Sequence, residues 1–155
     1  MDEFAPPTDA ERHAALDCLT TWLAGLDEHP MVAAVVADDE SELDRWFVRV
    51  TGEAKDVWSV WFTLGQRTLA HESFVMPAPE ENEAAFYGQL LRRNNALRDV
   101  AFSIGAEEAI FLRGQHDLRT ISDEALDRIL GSYHATVEAS FTAAIRLGFA
   151  SRFSS

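Results

Sequence analysis

The chain has 155 residues, of which 47% are hydrophobic, and a formal net charge of −13 at pH 7. This length and this hydrophobic content predict one globular domain over residues 1–155 and exclude a disordered chain. The excess of acidic groups argues against nucleic acid and against anionic membrane surfaces, because clustered Lys and Arg bind both. We therefore expect neither a nucleic-acid partner nor a membrane partner.

The amino-terminal segment MDEFAPPTDAER is acidic and contains two prolines, which is unlike a secretory signal peptide. The longest apolar run, Met31 to Ala37, falls far short of the roughly 18 residues that a membrane helix needs. Cys18 is the single cysteine, so no intrachain disulfide forms. The expectation is a cytoplasmic protein in which residues 1–8 are a flexible segment.

The first predicted element is a helix over residues 9–28. Thr8 and Glu11 have the spacing of a capping box, in which each side chain bonds the other residue's backbone N–H. Apolar residues follow at helical spacing, and Pro30 ends the segment. Cys18 falls inside this pattern, where a lone cysteine usually packs as a small apolar side chain.

The next part of the chain is rich in strand patterns. The segment from Met31 to Ala37 is interpreted as a short strand or a buried connection. Three runs follow, over residues 45–51, 57–64 and 68–76, and their short connections predict an antiparallel meander. The strand residues expected to share the core-facing side of the sheet are Trp46, Val48, Val50, Trp58, Val60 and Phe62, with Phe102 and Ile104 of a later strand.

A second helix, two more strands and a long last helix complete the predicted order. Pro77 and Pro79 end the third strand, and Glu80 and Glu81 are placed near the start of the second helix, where acidic groups favour the helix dipole. Strands are predicted over residues 100–104 and 109–113. Ser122 is a good N-cap for a helix that Gly148 ends. The helical residues expected to pack on the sheet are Leu16, Leu23, Leu130 and Val137.

This order, α-β-β-β-α-β-β-α, predicts an α+β domain with a mainly antiparallel five-stranded sheet packed by helices. Residues with catalytic or metal-binding chemistry form no motif in it. The five histidines lie far from one another in the sequence, and His71-Glu72 lacks the second His of HExxH because position 75 is Val. Cys18 has no neighbouring base, and the nucleophile and phosphate-loop motifs are absent. We therefore predict no metal, no cofactor and no catalysis.

Several short segments are distinctive in sequence and in order. They include RWFVRVTG at 45–52, MPAPEEN at 76–82, LLRRN at 90–94, VAFSIG at 100–105, LDRILG at 126–131 and LGFASRF at 147–153. Together they resemble the YbjN-domain proteins of actinobacteria. The resemblance covers about residues 45–153, whereas the amino-terminal 40 residues match only in being a helix. One departure is Gln115-His116-Asp117, where such sequences usually have an apolar residue or Pro. The resemblance therefore does not predict the structure of the loop into the last helix.

The resemblance implies a regulator of sensory transduction with a fold similar to that of the class I type III secretion chaperones. Those chaperones have the same order of elements, are acidic and usually dimeric, and hold an extended stretch of a client protein. The resemblance therefore implies a homodimer and a protein client or regulatory partner, and it carries no catalytic residues. The first functional hypothesis is a non-catalytic protein-binding module, chaperone-like or a regulatory adaptor. The alternative is a small-molecule sensor whose ligand sits between sheet and helices.

Trp61 raises the question of what covers the second face of the sheet. Strand alternation points Trp61 away from the core-facing side, and Arg45, Arg49, Thr63 and Arg113 share that direction. Aromatic and Arg side chains together are typical of protein interfaces. Two explanations stay open: a partner contacts this face, or the second helix or the amino-terminal segment covers it. The candidate partner-contact residues are Phe47, Val57, Trp61 and Phe111 on this face, and Phe86, Tyr87, Leu90 and Leu91 on the second helix.

Overall fold

The computed structural model describes residues 4–153. Its helices are α1 (Asp9–Gly25), α2 (Glu83–Asn94) and α3 (Asp123–Gly148). Its strands are β1 (Val32–Ala37), β2 (Asp44–Thr51), β3 (Val57–Leu64), β4 (Thr68–Met76), β5 (Ala101–Ile104) and β6 (Ile110–Asp117). Residues 1–3 of the segment expected to be flexible lie outside the described range. The backbone carbonyls of Phe4 and Ala5 accept hydrogen bonds from Arg67 and Arg119.

The six strands form one antiparallel sheet in the order β1-β2-β3-β4-β6-β5. The predicted α+β class is confirmed, but the sheet has six strands rather than five. The additional strand is β1, which comes from the segment interpreted as a strand or a buried connection and pairs Val36 with Phe47. Its Val and Ala side chains do not alternate with polar ones, so the sequence gives no period by which to recognise an edge strand.

Three boundaries differ clearly from the sequence prediction. Helix α1 ends at Gly25, and Leu26–Glu28 continue it to the predicted end as one 3-10 turn. Strand β6 continues through Gln115, His116 and Asp117, because the nine-residue strand β4 offers backbone partners as far as Thr68. Helix α2 begins only at Glu83. The N–H groups of Glu80 and Glu81 instead donate to the carbonyl of Gly148, so this segment is tied to the end of α3.

The helix ends follow the caps that the sequence predicts. Thr8 and Glu11 form both hydrogen bonds of the capping box at the start of α1. The Ser122 hydroxyl accepts from the N–H of Ala125, and α3 then runs for 26 residues to Gly148. A helix of this length spans about 39 Å, which lets α3 pass across the sheet and reach the β4–α2 connection.

The helices and one face of the sheet enclose a single core. Val48, Val50, Trp58, Val60, Phe62 and Phe102 are buried there, as predicted, together with Leu23, Leu130 and Val137. Trp46 and Leu16 pack against it half-buried. Ile104 faces the same side as Phe102 but is 49% exposed, because it ends the edge strand β5. No helix among the described residues is long and apolar enough to cross a membrane.

Candidate functional site

The face of the sheet opposite the core is here called the open face. The side chains that alternate with the core residues along the strands lie on it, and they are half-buried or exposed. This is the expected result for an antiparallel sheet that packs its helices on one side only. The open face includes Val36, Arg45, Phe47, Arg49, Val57, Trp61, Thr63, Glu72, Phe74, Phe111 and Arg113.

A row of directly paired residues crosses the open face. It runs through five neighbouring strands, and each member is the register partner of the next. Side chains at such paired positions lie about 5 Å apart at their Cβ atoms and contact one another. The row changes from apolar to charged as it crosses the sheet, in the order Val36, Phe47, Trp61, Glu72 and Arg113.

Trp61 is half-buried, and its neighbours on the sheet provide the cover. The Phe47 ring lies 4.7 Å from the Trp61 ring between centroids, and the Arg45 guanidinium carbon lies 4.1 Å from the Trp61 ring centroid. The second helix does not cover Trp61, because α2 packs against α3 and β5. The indole is thus held in place by an aromatic ring and a cation on its own face of the sheet.

Charged groups continue the row next to Trp61. The Arg113 Nε donates to a Glu72 carboxylate oxygen at 3.0 Å. Arg45 reaches Glu72 at 3.9 Å and Asp38 at 3.8 Å, both long ion pairs. Partly exposed pairs of this kind contribute about 0–1 kcal/mol each to stability. Their main effect is to hold two guanidinium groups at the surface beside an aromatic pair.

A second aromatic pair lies further along the same face. The Phe74 and Phe111 rings meet edge to face with centroids 5.8 Å apart, and Phe74 is 44% exposed. Lys55 borders this pair, with its ammonium 5.1 Å from the Phe74 ring. The same ammonium donates to the carbonyls of Phe74 and Val75, at 3.1 and 2.8 Å. Burial lowers the pKa of Lys55 to about 8, which leaves the group charged at neutral pH.

A concavity of about 510 Å³ opens between the charged part of the row and Trp61. Its walls come from β3, β4 and β6, so three strands shape it. It is lined chiefly by Trp61, Thr63, Ala70, Glu72, Arg113 and Gln115. The open face therefore combines an aromatic anchor, a depression and flanking cations, which are the parts of a protein-recognition surface.

A separate apolar cleft of about 270 Å³ lies between α2 and the edge strand β5. Leu91 on the helix and Ile104 on the strand are 66% and 49% exposed at this cleft. The Asn94 side chain bonds both the N–H and the carbonyl of Phe102, so it occupies the outer edge of β5 at that residue. The cleft is lined by Tyr87, Leu90, Leu91, Phe102, Ser103, Ile104 and Ile110.

The candidate contact residues separate into three groups. Phe47, Val57, Trp61 and Phe111 lie on the open face, and Tyr87 and Leu91 line the α2–β5 cleft. Phe86 and Leu90 are buried in the core of their own chain, at 0% and 3% exposed, although Leu90 also forms part of the cleft wall, so little of either side chain is available to a partner. The helical period puts Phe86 and Leu90 on one stripe and Tyr87 and Leu91 on the next, and packing selects the first stripe for the core.

Sequence reasoning missed Glu72 and Phe74 on the open face. The sequence of β4 does not show which of its side chains face the core, because the core-facing positions include the polar residues His71 and Ser73. Each of these polar groups is satisfied by a partner from elsewhere in the chain. The Ser73 hydroxyl donates to the Ser59 carbonyl, and His71 Nδ1 lies 2.7 Å from the Tyr133 hydroxyl. Burial lowers the pKa of His71 to about 4 and raises the pKa of Tyr133.

The described residues that could bind a metal or act as a nucleophile would need a particular geometry to form such a site. Among residues 4–153, no three His, Cys, Asp or Glu side chains are placed to hold a metal ion. Cys18 is half-buried on α1, and its thiol lies 3.9 Å from an Asp123 carboxylate oxygen. Burial raises the pKa of this thiol, and the Asp123 charge adds to the effect. Cys18 is therefore a protonated thiol at neutral pH, whereas a nucleophilic cysteine needs the thiolate form.

The YbjN family, described as "Putative bacterial sensory transduction regulator", matches residues 15–146. The chain belongs to the YbjN family. An uncharacterized protein of Mycobacterium tuberculosis is 35% identical over 104 residues, which is 67% of this chain and 57% of the relative. An uncharacterized protein of Mycobacterium leprae is 30% identical over 138 residues, 85% of this chain and 75% of the relative. The aligned part thus spans little more than half of the M. tuberculosis relative's own length.

The fold of this YbjN-family chain is similar to that of the Yersinia pestis type III secretion chaperone SycH, solved in complex with a stable fragment of YscM2. The TM-score is 0.52, with 15% sequence identity over 79% of this chain and 96% of the chaperone chain. The predicted fold resemblance is confirmed at the level of architecture. The absence of catalysis in this chain stays a prediction.

Proposed function

We propose that this YbjN-family chain is a non-catalytic protein-binding module, chaperone-like or a regulatory adaptor, that holds a partner segment on its open face. One observation carries the proposal: Trp61, Phe47 and Arg45 form a preassembled aromatic and cationic anchor on a sheet face that the helices leave open. Trp, Tyr and Arg are the residue types that dominate binding energy at protein interfaces. A cytoplasmic location suits such a module and stays a prediction.

The test uses the full chain as bait in its native cell, with Trp61→Ala beside the wild type. Phe153→Ala is the matched control, because Phe153 is an exposed aromatic residue outside the open face. We expect quantitative mass spectrometry to find a partner that the wild type and Phe153→Ala retain and Trp61→Ala loses. An unchanged set of co-eluting proteins on a folded Trp61→Ala chain would contradict the proposal.

We further propose that two copies of the chain associate through the α2–β5 cleft. Leu91 and Ile104 expose apolar surface there, which a two-fold contact with a second copy would cover most simply. Asn94 occupies the edge of β5 at Phe102, so the contact would rely on side-chain packing rather than on a strand added at that point.

Light scattering at high micromolar concentration tests the dimer. The wild type is expected to give the dimer mass, and Leu91→Glu the monomer mass, because a charge would be buried without a partner. Leu43→Glu makes the same change at an exposed residue of the β1–β2 loop and should leave the mass unchanged. A monomeric wild type would refute the dimer without touching the role proposed for the open face.

The small-molecule sensor has one observation in its favour, which is that the α2–β5 cleft lies between a helix and the sheet. The lining of the cleft is nearly all apolar, and its volume of about 270 Å³ is small. Ligand pockets are usually of about 300–1,000 Å³ and carry a few convergent polar groups. The cleft therefore suits a second protein surface better than an enclosed ligand.

A further inference from the structure

Arg45 is a cation with incomplete partners. Its guanidinium rests on the Trp61 ring and, within the part of the chain that the structure describes, makes only the two long ion pairs, with Asp38 and Glu72. Its Nε atom is shielded from solvent and has no hydrogen-bond partner within the described part of the chain. The shielded Nε is not open to an incoming group, but the ion pairs of the two terminal nitrogens, at 3.8 and 3.9 Å, are longer than hydrogen bonds, so these nitrogens have capacity for a closer acceptor.

Arg49 lies four residues after Arg45 on β2, and two after Phe47, and points to the same face. It is exposed and forms no ion pair or side-chain hydrogen bond within residues 4–153. Alternate residues of a strand are separated by about 7 Å. On the open side of β2, Phe47 is therefore flanked by one guanidinium on each side, at positions 45 and 49.

The charge of this patch is opposite to that of the whole molecule. The chain carries −13, whereas three arginines (Arg45, Arg49 and Arg113) lie around Trp61, where the ion pairs that they form are with Asp38 and Glu72. The net charge of the chain disfavours an acidic partner on average, whereas this cationic patch attracts one. Complementary charge of this kind orients a partner as it approaches and selects among partners.

We propose that the open face selects a protein segment that carries carboxylate side chains on both sides of an aromatic or large aliphatic one. The carboxylates bind Arg45 and Arg49, and the apolar side chain packs on Phe47 and Trp61. An extended segment repeats its side-chain direction at every second residue, so the matching pattern is acidic–x–apolar–x–acidic. This inference rests on the proposed function and adds to it the chemistry of the partner.

The experiment selects peptides from a random dodecapeptide phage library on the immobilised full chain, with four baits. The baits are the wild type, Trp61→Ala, Arg49→Glu and Arg146→Glu. Arg146 is an exposed arginine on α3 without an ion pair in the described chain, so it controls for the change of charge. Circular dichroism and thermal melting verify that all four baits are folded.

We expect the acidic–x–apolar–x–acidic pattern to be enriched on the wild type and on Arg146→Glu, and to be lost on Trp61→Ala. On Arg49→Glu, one acidic position should change to Lys or Arg. Peptides that need Trp61 but have no acidic preference would overturn this inference and leave the proposed function standing. The absence of any Trp61-dependent peptide would overturn both.

A selected peptide then gives the size of the effect. Its fluorescence anisotropy on the wild type is compared with that of a counterpart in which Asp and Glu are replaced by Asn and Gln. We expect the counterpart to bind about tenfold more weakly, and the acidic peptide to lose affinity as salt is raised. Equal affinity of the two peptides would overturn the role given to Arg45 and Arg49.

Discussion

The two faces of the sheet are built from the same strands, yet they differ in what their side chains contact. On the helix-facing side, Val48, Val60 and Phe62 are wholly buried and contact apolar groups. On the open side, their chain neighbours Phe47 and Trp61 are half-buried and contact each other and a guanidinium. The alternation of a strand thus allows one sequence segment to specify stability on one side and recognition on the other. Substitutions on the two faces should separate these properties.

The largest effect is expected from Trp58, compared with Trp61 three residues later on the same strand. Trp58 is 4% exposed, and Trp58→Ala should reduce the free energy of unfolding by about 3–5 kcal/mol. Its indole N–H has no hydrogen-bond partner among residues 4–153, which favours the lower end of that range. Trp61→Ala removes one ring pair and one cation–π contact and should cost only about 1 kcal/mol. Urea denaturation measures both, and equal losses would refute the difference between the faces.

A smaller, pH-dependent effect is expected from His71 on the core side. Burial lowers the pKa of His71 to about 4, against 6.5 in the unfolded chain. The charge of Asp99 opposes this shift, and that of His116 adds to it. Below pH 6.5 the unfolded chain takes up a proton that the folded chain does not, so stability falls until the pH reaches about 4. The loss at pH 5 relative to pH 7 should be about 2 kcal/mol.

His71→Gln isolates this contribution, because glutamine keeps a polar group near Tyr133 and does not titrate. Unfolding free energies of the variant and the wild type, measured between pH 7 and 4.5, should converge as the pH falls. Curves that stay parallel would show that the protonation of His71 does not contribute, since all other titrating groups are common to both proteins.

Lys55 precedes β3 and contacts the end of β4, in the region where β3 and β4 no longer pair with each other. Its loss should have a smaller effect on stability. Lys55→Met removes the two hydrogen bonds to the carbonyls of Phe74 and Val75 but keeps an apolar side chain of similar length. We expect a loss of about 1 kcal/mol and faster hydrogen exchange in residues 57–60. Arg146→Met, which removes an exposed cation from α3, should change neither quantity. If exchange in residues 57–60 stays unchanged, Lys55 does not hold this end of the sheet.

The sequence predicts the two faces well only where every core position is apolar. This holds for β2 and β3, where Val48, Val50 and Trp58 leave no doubt about direction. It does not hold for β4, because the polar residues His71 and Ser73 face the core. His71 is paired with Tyr133, 62 positions later in the chain, and Ser73 with the Ser59 carbonyl. Partners so distant in sequence leave no local pattern, so Phe74 and Glu72 were not assigned to the open face.

The second helix illustrates a different limit. Phe86 and Leu90, and likewise Tyr87 and Leu91, are four residues apart, so both pairs fit the helical period equally well. Only the packing of α2 against α3 and β5 decides that the first pair is buried. Sequence thus predicted that α2 has excess apolar surface, but it did not predict which stripe remains exposed.

The smallest effect on stability, and the sharpest test of the open face, is expected from Glu72. Its carboxylate contacts Arg113 and Arg45 at the surface, so Glu72→Gln should change the unfolding free energy by less than about 0.5 kcal/mol. The same change frees both arginines for an incoming carboxylate, so an acidic peptide selected on the wild type should bind about threefold more tightly.

Glu28→Gln removes the same charge from an exposed position after α1 and should leave the affinity nearly unchanged. If Glu72→Gln instead weakens the peptide, Glu72 acts by positioning the arginines. In that case peptide binding requires the complete row from Phe47 to Arg113, including the carboxylate of Glu72. The aromatic residues and the arginines would not be sufficient without it.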